Sequence, residues 1–391
     1  MVNSKEMSVV LCVPGFPVSA EDPDKPFLLN HVISISNSGV LVTVIAPACA
    51  GSPAEQIIEG VRVVRVRYAP RKWETLAATG AMYREARGIK ALLVPFMLLA
   101  MLCRTIREIR RTDAGVVHGH WWLPGGLVAV CSSFLTRRTS VVHLHGSDAT
   151  LGDQPMFRWF ARRVLRAADL RIAVSENLAV WGQGVSGMEF EVLPMPLMLD
   201  RFACETAAPE NGPMLAVGRL VDEKGFDILI EAAAMAFAVD ESCRRKIVII
   251  GDGPLREVIA QKAAECGVEL EMPGVVSPEH MRNWYEQACF VVVPSRREGF
   301  GMVAAEALAS SRAVIGSSVG GIPLMLENKK NGILVKPGDV EDLKHALLAI
   351  DPKMGVLGPD SVKLFAADKH IQFLRKQYKE LTDSGASKEF E

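Results

Sequence analysis

The 391-residue chain has no Cys-x-x-Cys pair; its eight cysteines stand singly at positions 12, 49, 103, 131, 204, 243, 266 and 289. Such scatter disfavours a zinc site and suits buried thiols in a reducing cytosol. Charge bias is missing too. Forty-four Lys and Arg against 45 Asp and Glu leave a formal net charge of −1, so no global field selects nucleic acid or an acidic partner. Long apolar runs are also wanting. The longest, Ile89 to Cys103, is broken by Lys90 and Pro95 and is too short to span a membrane. The first residues are polar and the run Val9–Val13 is short, so no signal peptide is expected. Heptads, low-complexity tracts and short repeats are absent. A cytoplasmic protein of two domains is the expectation for this length.

What the chain does contain is an alternation of short apolar runs with helical patterns. Strands are expected at Val9–Val13, Leu41–Ala46, Val61–Val66, Val116–His118, Val141–Leu144, Ile172–Val174 and Val192–Leu193 in the first half. In the second half they fall at Leu215–Val217, Ile247–Ile250, Leu270–Met272, Phe290–Val293, Val314–Ile315 and Ile333–Val335. Continuous apolar runs separated by helices mark parallel sheets buried on both faces. The Pro-rich stretch after Leu193 is the linker, which predicts an α/β protein of two doubly wound, Rossmann-like domains facing across a cleft. Their spans are 1–197 and 198–361, with a final segment 362–391 whose helix, Val362 to Leu381, precedes a frayed tail. Ligands of such sheets bind at the carboxyl ends of strands.

Two glutamates with seven residues between them, Glu298 and Glu306, flank the glycine-rich stretch Gly299-Phe300-Gly301-Met302-Val303-Ala304-Ala305 after the strand Phe290–Val293. A helix is expected from about Met302, which puts Glu298 in the preceding loop and Glu306 inside the helix. A diphosphate fits the free N–H groups between them. Upstream, Gly218-Arg219 and Lys224-Gly225 lie in a strand-to-helix loop. Arg219 can fork onto phosphate oxygens and Lys224 supplies a point charge. Gly251-Asp252-Gly253-Pro254 reads as a tight turn bordering a nucleotide, because Arg256 replaces the third glycine of a dinucleotide fingerprint. Pro273 to Pro278 and Ser317 to Pro323 are further turns after strands. Asp22-Pro23-Asp24 reads as a solvated turn rather than a metal motif.

The first half offers His118-Gly119-His120-Trp121-Trp122 and His143-Leu144-His145-Gly146-Ser147-Asp148. Within a strand each histidine pair shares a face. No carboxylate or cysteine pattern supports a metal there, so no metal is expected. His145 is expected at the carboxyl end of its strand, with His118 and His143 serving the scaffold. The basic run Arg104 to Arg111 reads as the solvated end of a core helix, or as a membrane-surface helix approaching a lipid-linked substrate.

Together, the Glu-x7-Glu, Gly-Arg-Leu…Lys-Gly, Gly-Asp-Gly-Pro and His-Gly-Ser-Asp motifs resemble those of retaining glycosyltransferases of the GT-B fold, family four, over essentially the whole chain. The resemblance implies that Gly218, Arg219 and Lys224 hold a donor diphosphate. Glu298 would contact donor sugar hydroxyls, the backbone at Phe300, Gly301 and Met302 would hold sugar and phosphate, and Glu306 would bind ribose. His145 would sit near the reacting sugar, making His145, Arg219, Lys224 and Glu298 the catalytic set. The final helix would return to the first domain. Implied partners are a nucleoside-diphosphate sugar as donor and a hydroxyl acceptor (glycan, lipid-linked saccharide or small molecule), with no nucleic acid and with peripheral membrane contact as an option. No cofactor or metal would be obligatory. Three stretches depart from the family pattern. Pro14 to Pro17 replaces a glycine pair, which leaves any role for Gly15 or Lys25 open. Met195-Pro196 replaces Asn-Gly, and Ser310-Ser311-Arg312-Ala313 replaces Cys-Gly-x-Pro. The alternatives are an epimerase or glycan phosphorylase of the same fold, or a non-catalytic sugar-nucleotide-binding subunit.

Overall fold

A computed structural model describes residues 7–22, 25–76, 88–204 and 206–387. The chain divides into two compact units, Met1–Pro196 with Ala367–Glu391, and Leu197–Ala366.

In the first unit the strands are β1 (Ser8–Cys12), β2 (Leu41–Pro47), β3 (Glu55–Ile58), β4 (Val61–Val66), β5 (Val116–His120), β6 (Thr139–Leu144), β7 (Leu170–Ala173) and β8 (Glu191–Val192). They form one sheet in the order β3-β4-β2-β1-β5-β6-β7-β8, parallel except for the antiparallel β3–β4 pair. All five residues of β1 are buried, as are all of β5 and β6. That is why these strands read as unbroken apolar runs rather than as alternation. β3 was not expected. Its sequence Glu-Gln-Ile-Ile is largely exposed, so it lacks the signature of a buried strand.

The second unit holds β9 (Met214–Val217), β10 (Ile247–Ile250), β11 (Leu270–Gly274), β12 (Phe290–Val293), β13 (Ala313–Ser317) and β14 (Gly332–Val335). Its sheet runs β11-β10-β9-β12-β13-β14, with every pair parallel. The order reverses between β9 and β12 here and between β1 and β5 in the first sheet, which marks the binding end of each domain. The helix Phe226–Val239 after β9 is apolar nearly all round. Phe226, Ile228, Leu229, Ile230, Ala232, Ala233, Ala236 and Phe237 are buried, which locks it onto the sheet.

The last helix spans Ala367–Ser387, so it starts five residues later than its sequence pattern and continues past Leu381 into the stretch expected to fray. Residues 362–366 stay with the second unit: Leu197 N–H donates to Phe365 O at 2.9 Å, and the Phe365 ring meets Phe300 edge-on at 5.0 Å. The helix itself belongs to the first unit, where it packs on the helix Pro26–Asn37 and on β5 and β6 through buried His370, Leu374 and Tyr378.

The apolar stretch before Arg104 forms the helix Leu93–Thr112. Its inner face buries Met97, Met101 and Ile109, while Leu92, Phe96 and Leu99 face outward. Its basic end is not simply solvated. Buried Glu108 takes Arg62 at 2.7 Å, Arg104 at 3.0 Å and Arg111 at 2.7 Å. Among the described residues no helix is long and apolar enough to cross a membrane.

Candidate active site

Two loops leave the switch point of the second sheet side by side. The first, after β9, carries Gly218, Arg219 and Lys224. The second, after β12, carries Glu298. Lys224 Nζ donates to Glu298 Oε2 at 2.6 Å, with the side chains 22% and 16% exposed. The sequence placed each residue at a strand end but not their contact. Burial raises the Glu298 carboxyl, yet Lys224, the Gly299 N–H and the Ser295 hydroxyl outweigh it and hold the group below the usual range. Arg219 is exposed, and its guanidinium has no partner among the described residues.

The loops are stitched together by a pair that sequence reasoning missed. Arg296 grips Asp227 in a fork at 2.8 and 2.7 Å, and also donates to Asp222 O at 2.8 Å. Arg296 N–H reaches Glu223 O at 2.9 Å. Gly225 permits this approach. At φ 66° a side chain would be strained, and an added Cβ would meet Pro294 O at 2.1 Å. The Gly251–Pro254 turn backs the first loop: Gly218 N–H donates to Ile250 O, Leu220 N–H to Asp252 O and Leu255 N–H to Leu220 O. The turn after β11 supports it in turn, since Gly251 N–H donates to Gly274 O at 2.8 Å. The Gly320-Gly321 turn backs the second loop. A Cβ on Gly320 would meet the carbonyls of Glu298 and Gly299 at 2.5 Å.

The helix Met302–Ala309 begins at Gly301, whose φ is 94°, and so opens its N-terminus beside Glu298. Phe300 is buried and Met302 half-buried. Glu306 is the helix's only charged residue. Its neighbours Ala304, Ala305, Ala307 and Leu308 are buried, and Tyr285 Oη donates to its Oε2 at 2.8 Å. Burial pushes the Glu306 carboxyl up to about 7, against the lowering effect of that hydrogen bond. Tyr285 had no motif to announce it. It is fixed from behind by the departure at Arg312, a wholly buried guanidinium that donates to the carbonyls of Tyr285, Glu286 and Thr206 at 2.7, 3.0 and 3.1 Å. In the same departure Ser311 occupies the left-handed region at φ 56°.

In the first domain His145 follows β6 and is 5% exposed. Its ring stacks on Trp121 at 4.1 Å, and its Nε2 shares a hydrogen bond with His120 Nδ1 at 3.0 Å. Burial drives its pKa down to about 3, so it is a neutral imidazole at ordinary pH. The oxygens of the buried Asp148 carboxyl accept the N–H of His145 at 2.6 Å and that of Trp122 at 2.9 Å, tying the turns after β5 and β6 together, while burial pushes its pKa up to about 8. His118 and His143 are fully buried. The loop Pro14 to Pro17 is held by buried Arg65, which donates to Phe16 O and Pro17 O. Asp22 accepts Val18 N–H at 2.7 Å; Pro23 and Asp24 lie outside the described residues.

Residues 34–186 match the family described as "Glycosyl transferase 4-like domain", and residues 213–350 match "Glycosyl transferases group 1". The putative teichuronic acid biosynthesis glycosyltransferase TuaC of Bacillus subtilis is 27% identical, over 96% of this chain and 99% of its own length. Sucrose-phosphate synthase from Thermosynechococcus elongatus shares the fold at a TM-score of 0.76 and 19% identity, covering 97% of this chain and 100% of that one. HepE from Anabaena, solved with UDP and glucose, does so at 0.74 and 16%, covering 96% and 100%. With its two halves matched by these two families and a relative aligned from end to end, the chain belongs to the group 1 glycosyltransferases, on the GT-B fold.

Proposed function

We propose that this glycosyltransferase moves a sugar from a nucleoside diphosphate to a hydroxyl acceptor with retention of anomeric configuration, in surface polysaccharide or lipid-linked glycan assembly on the cytoplasmic side of a membrane. The Lys224–Glu298 contact at the switch point carries the reading. A cation and an anion held 2.6 Å apart beside an unpartnered Arg219 suit a ligand that brings both phosphate and hydroxyl groups. On donor arrival Lys224 and Arg219 turn to the diphosphate, and Glu298 accepts hydroxyls of the sugar. The N–H groups at Gly301 and Met302 and the helix dipole add to the binding of negative charge. Glu306 accepts the ribose hydroxyls, with Tyr285 holding its second oxygen.

Chemistry at this site needs stabilisation of a leaving diphosphate more than it needs a nucleophile. The anomeric C–O bond breaks with both electrons passing to the diphosphate. The acceptor oxygen attacks from the same face, and its proton goes to the departing phosphate oxygen. Two cations offset most of the diphosphate charge, so no metal is required at this step. His145, in the first domain, is a neutral hydrogen-bonding group rather than a cation.

Membrane contact is assigned to the helix Pro155–Ala167 rather than to Arg104–Arg111, where Arg104 and Arg111 are paired with Glu108. Met156, Trp159 and Phe160 are 70%, 55% and 50% exposed, and Arg158, Arg162, Arg163 and Arg166 accompany them. Phe134 and Leu135, near the end of the helix Leu127–Thr136, are exposed as well. A face of this kind suits an anionic bilayer bearing a lipid-linked acceptor.

Screening nucleoside-diphosphate sugars by thermal shift, then assaying the best binder with a panel of acceptors and assigning the product anomer by NMR, tests the reading. Net nucleotide release with the donor's anomeric configuration kept supports it. Donor interconversion without acceptor, or a requirement for inorganic phosphate, replaces it with the epimerase or phosphorylase alternative.

A further inference from the structure

Six of the eight histidines gather in the first domain, and none of the six is more than 5% exposed. His31 comes from the helix Pro26–Asn37, His118 and His120 from β5, His143 from β6, His145 from the turn after it, and His370 from the final helix. The rings of His118 and His120 stack at 4.5 Å, those of His118 and His143 at 5.5 Å, and His31 stands edge-on to His120 at 4.8 Å.

The hydrogen bonds fix much of the proton arrangement. Pro194 O accepts only, so His370 Nδ1 carries its proton toward it at 2.8 Å. His370 Nε2 then faces His31 Nδ1 at 2.9 Å, and with the His31 proton on Nδ1 it is the acceptor of that bond. The remaining His31 nitrogen, Nε2, is a buried lone pair. His118 Nδ1 is engaged by the Tyr378 hydroxyl at 2.6 Å and His120 Nδ1 by His145 at 3.0 Å. The Nε2 atoms of His31, His118 and His120, and both nitrogens of His143, are buried with no hydrogen-bond partner among the described residues. Ligating atoms of His31, His118 and His120 lie within 4.8 Å of one another, as do those of His120, His143 and His145.

From this we infer a transition-metal site, of the zinc class, built by the Nε2 atoms of His31, His118 and His120, with His143 or a water in the fourth place. Zinc–imidazole bonds of 2.0–2.1 Å put tetrahedral ligands about 3.3 Å apart, so ring movements of about 1 Å close the site. Each ligand's other nitrogen already meets an orienting partner, His370, Tyr378 or His145, as metal-bound imidazoles require. All-imidazole ligation favours zinc, cobalt, nickel or copper over magnesium or calcium. Two of the orienting partners sit on the final helix. The ion therefore staples that returning segment to the first sheet, a structural role. This proposal rests on first-domain residues alone and stands whether or not the donor reading holds.

The test uses the full chain, made without a polyhistidine tag. Metal content as isolated is measured by mass spectrometry; the chain is then stripped with chelator and titrated with zinc and with cobalt. The expected results are about one equivalent bound, intense visible bands of tetrahedral cobalt, and a melting temperature raised by zinc. His31→Ala should weaken zinc at least tenfold, while His345→Ala, at an exposed histidine elsewhere, should leave it unchanged. If His31→Ala does not fold, the cobalt spectrum and the zinc-dependent melting shift of the unaltered chain decide. Absence of both overturns the site, as does equal binding by His31→Ala, and leaves a hydrogen-bonded histidine network in its place.

Discussion

At the switch point of the second sheet a lysine and a glutamate meet in a largely buried ion pair that still reaches solvent, with an exposed arginine in the same loop as the lysine. In the first domain six imidazoles are packed ring on ring, buried, with burial holding their pKa values low. The first arrangement keeps its charge by pairing and can exchange that pairing for a ligand's charges. The second stays neutral and leaves lone pairs unanswered. Charged groups near water are poised for substrate, and neutral buried donors are poised for a cation. Polar residues of both regions lie at the ends of parallel strands, so strand position alone does not distinguish their chemistry.

The largest expected effect breaks the charged side of this contrast. Lys224→Ala should cut turnover by about 10²–10³-fold, the range for loss of one group that stabilises developing negative charge. Near-normal kcat would remove Lys224 from the diphosphate. Next comes the basic face of the helix Pro155–Ala167. Trp159→Ala combined with Arg163→Ala should lower binding to anionic vesicles about tenfold in a sedimentation assay, at roughly 1 kcal/mol per basic residue near the surface. Equal binding to zwitterionic and anionic vesicles would count against that face.

A smaller effect sharpens the role of burial. The Tyr285 hydroxyl lowers the Glu306 pKa, so Tyr285→Phe should move the pH midpoint of donor affinity above about 7 and weaken binding several-fold at neutral pH. The same raised pKa bears on the free fold. Its carboxyl takes up a proton more readily folded than unfolded, so its contribution is fully present below the unfolded value and is lost as pH rises toward about 7. The smallest change concerns Ser311. Replacing it with Gly relieves a left-handed backbone and should add up to about 1 kcal/mol of stability in urea unfolding, without altering turnover.

Much of the fold was legible because parallel strands buried on both faces leave unbroken apolar runs, as in β1, β10 and β12. The exposed edge strand Glu55–Ile58 leaves none and was missed. Single site residues could be placed at strand ends, but their partnerships could not. Tyr285 and Glu306 stand 21 positions apart, Arg296 and Asp227 69 apart, and His31 and His370 339 apart, distances at which local pattern carries no pairing information. The two histidine pairs on β5 and β6 looked too poor in ligands for a metal, because the third and fourth elements of the cluster come from opposite ends of the chain. Arg312, met as a departure from the family pattern, proved to be the support behind Tyr285.

The most direct test of the donor site is a calorimetric titration of UDP, and then of other nucleoside diphosphates, into the wild-type chain and Glu306→Gln, in two buffers of different ionisation enthalpy at about pH 7. Ribose hydroxyls favour the carboxylate form of Glu306, so the wild type should release a fraction of a proton on binding. Glu306→Gln should release none and bind at least tenfold more weakly. Equal affinity and equal proton release in the two proteins would contradict the assignment of Glu306, and with it the clamp formed by Arg219, Lys224, Glu298 and Glu306.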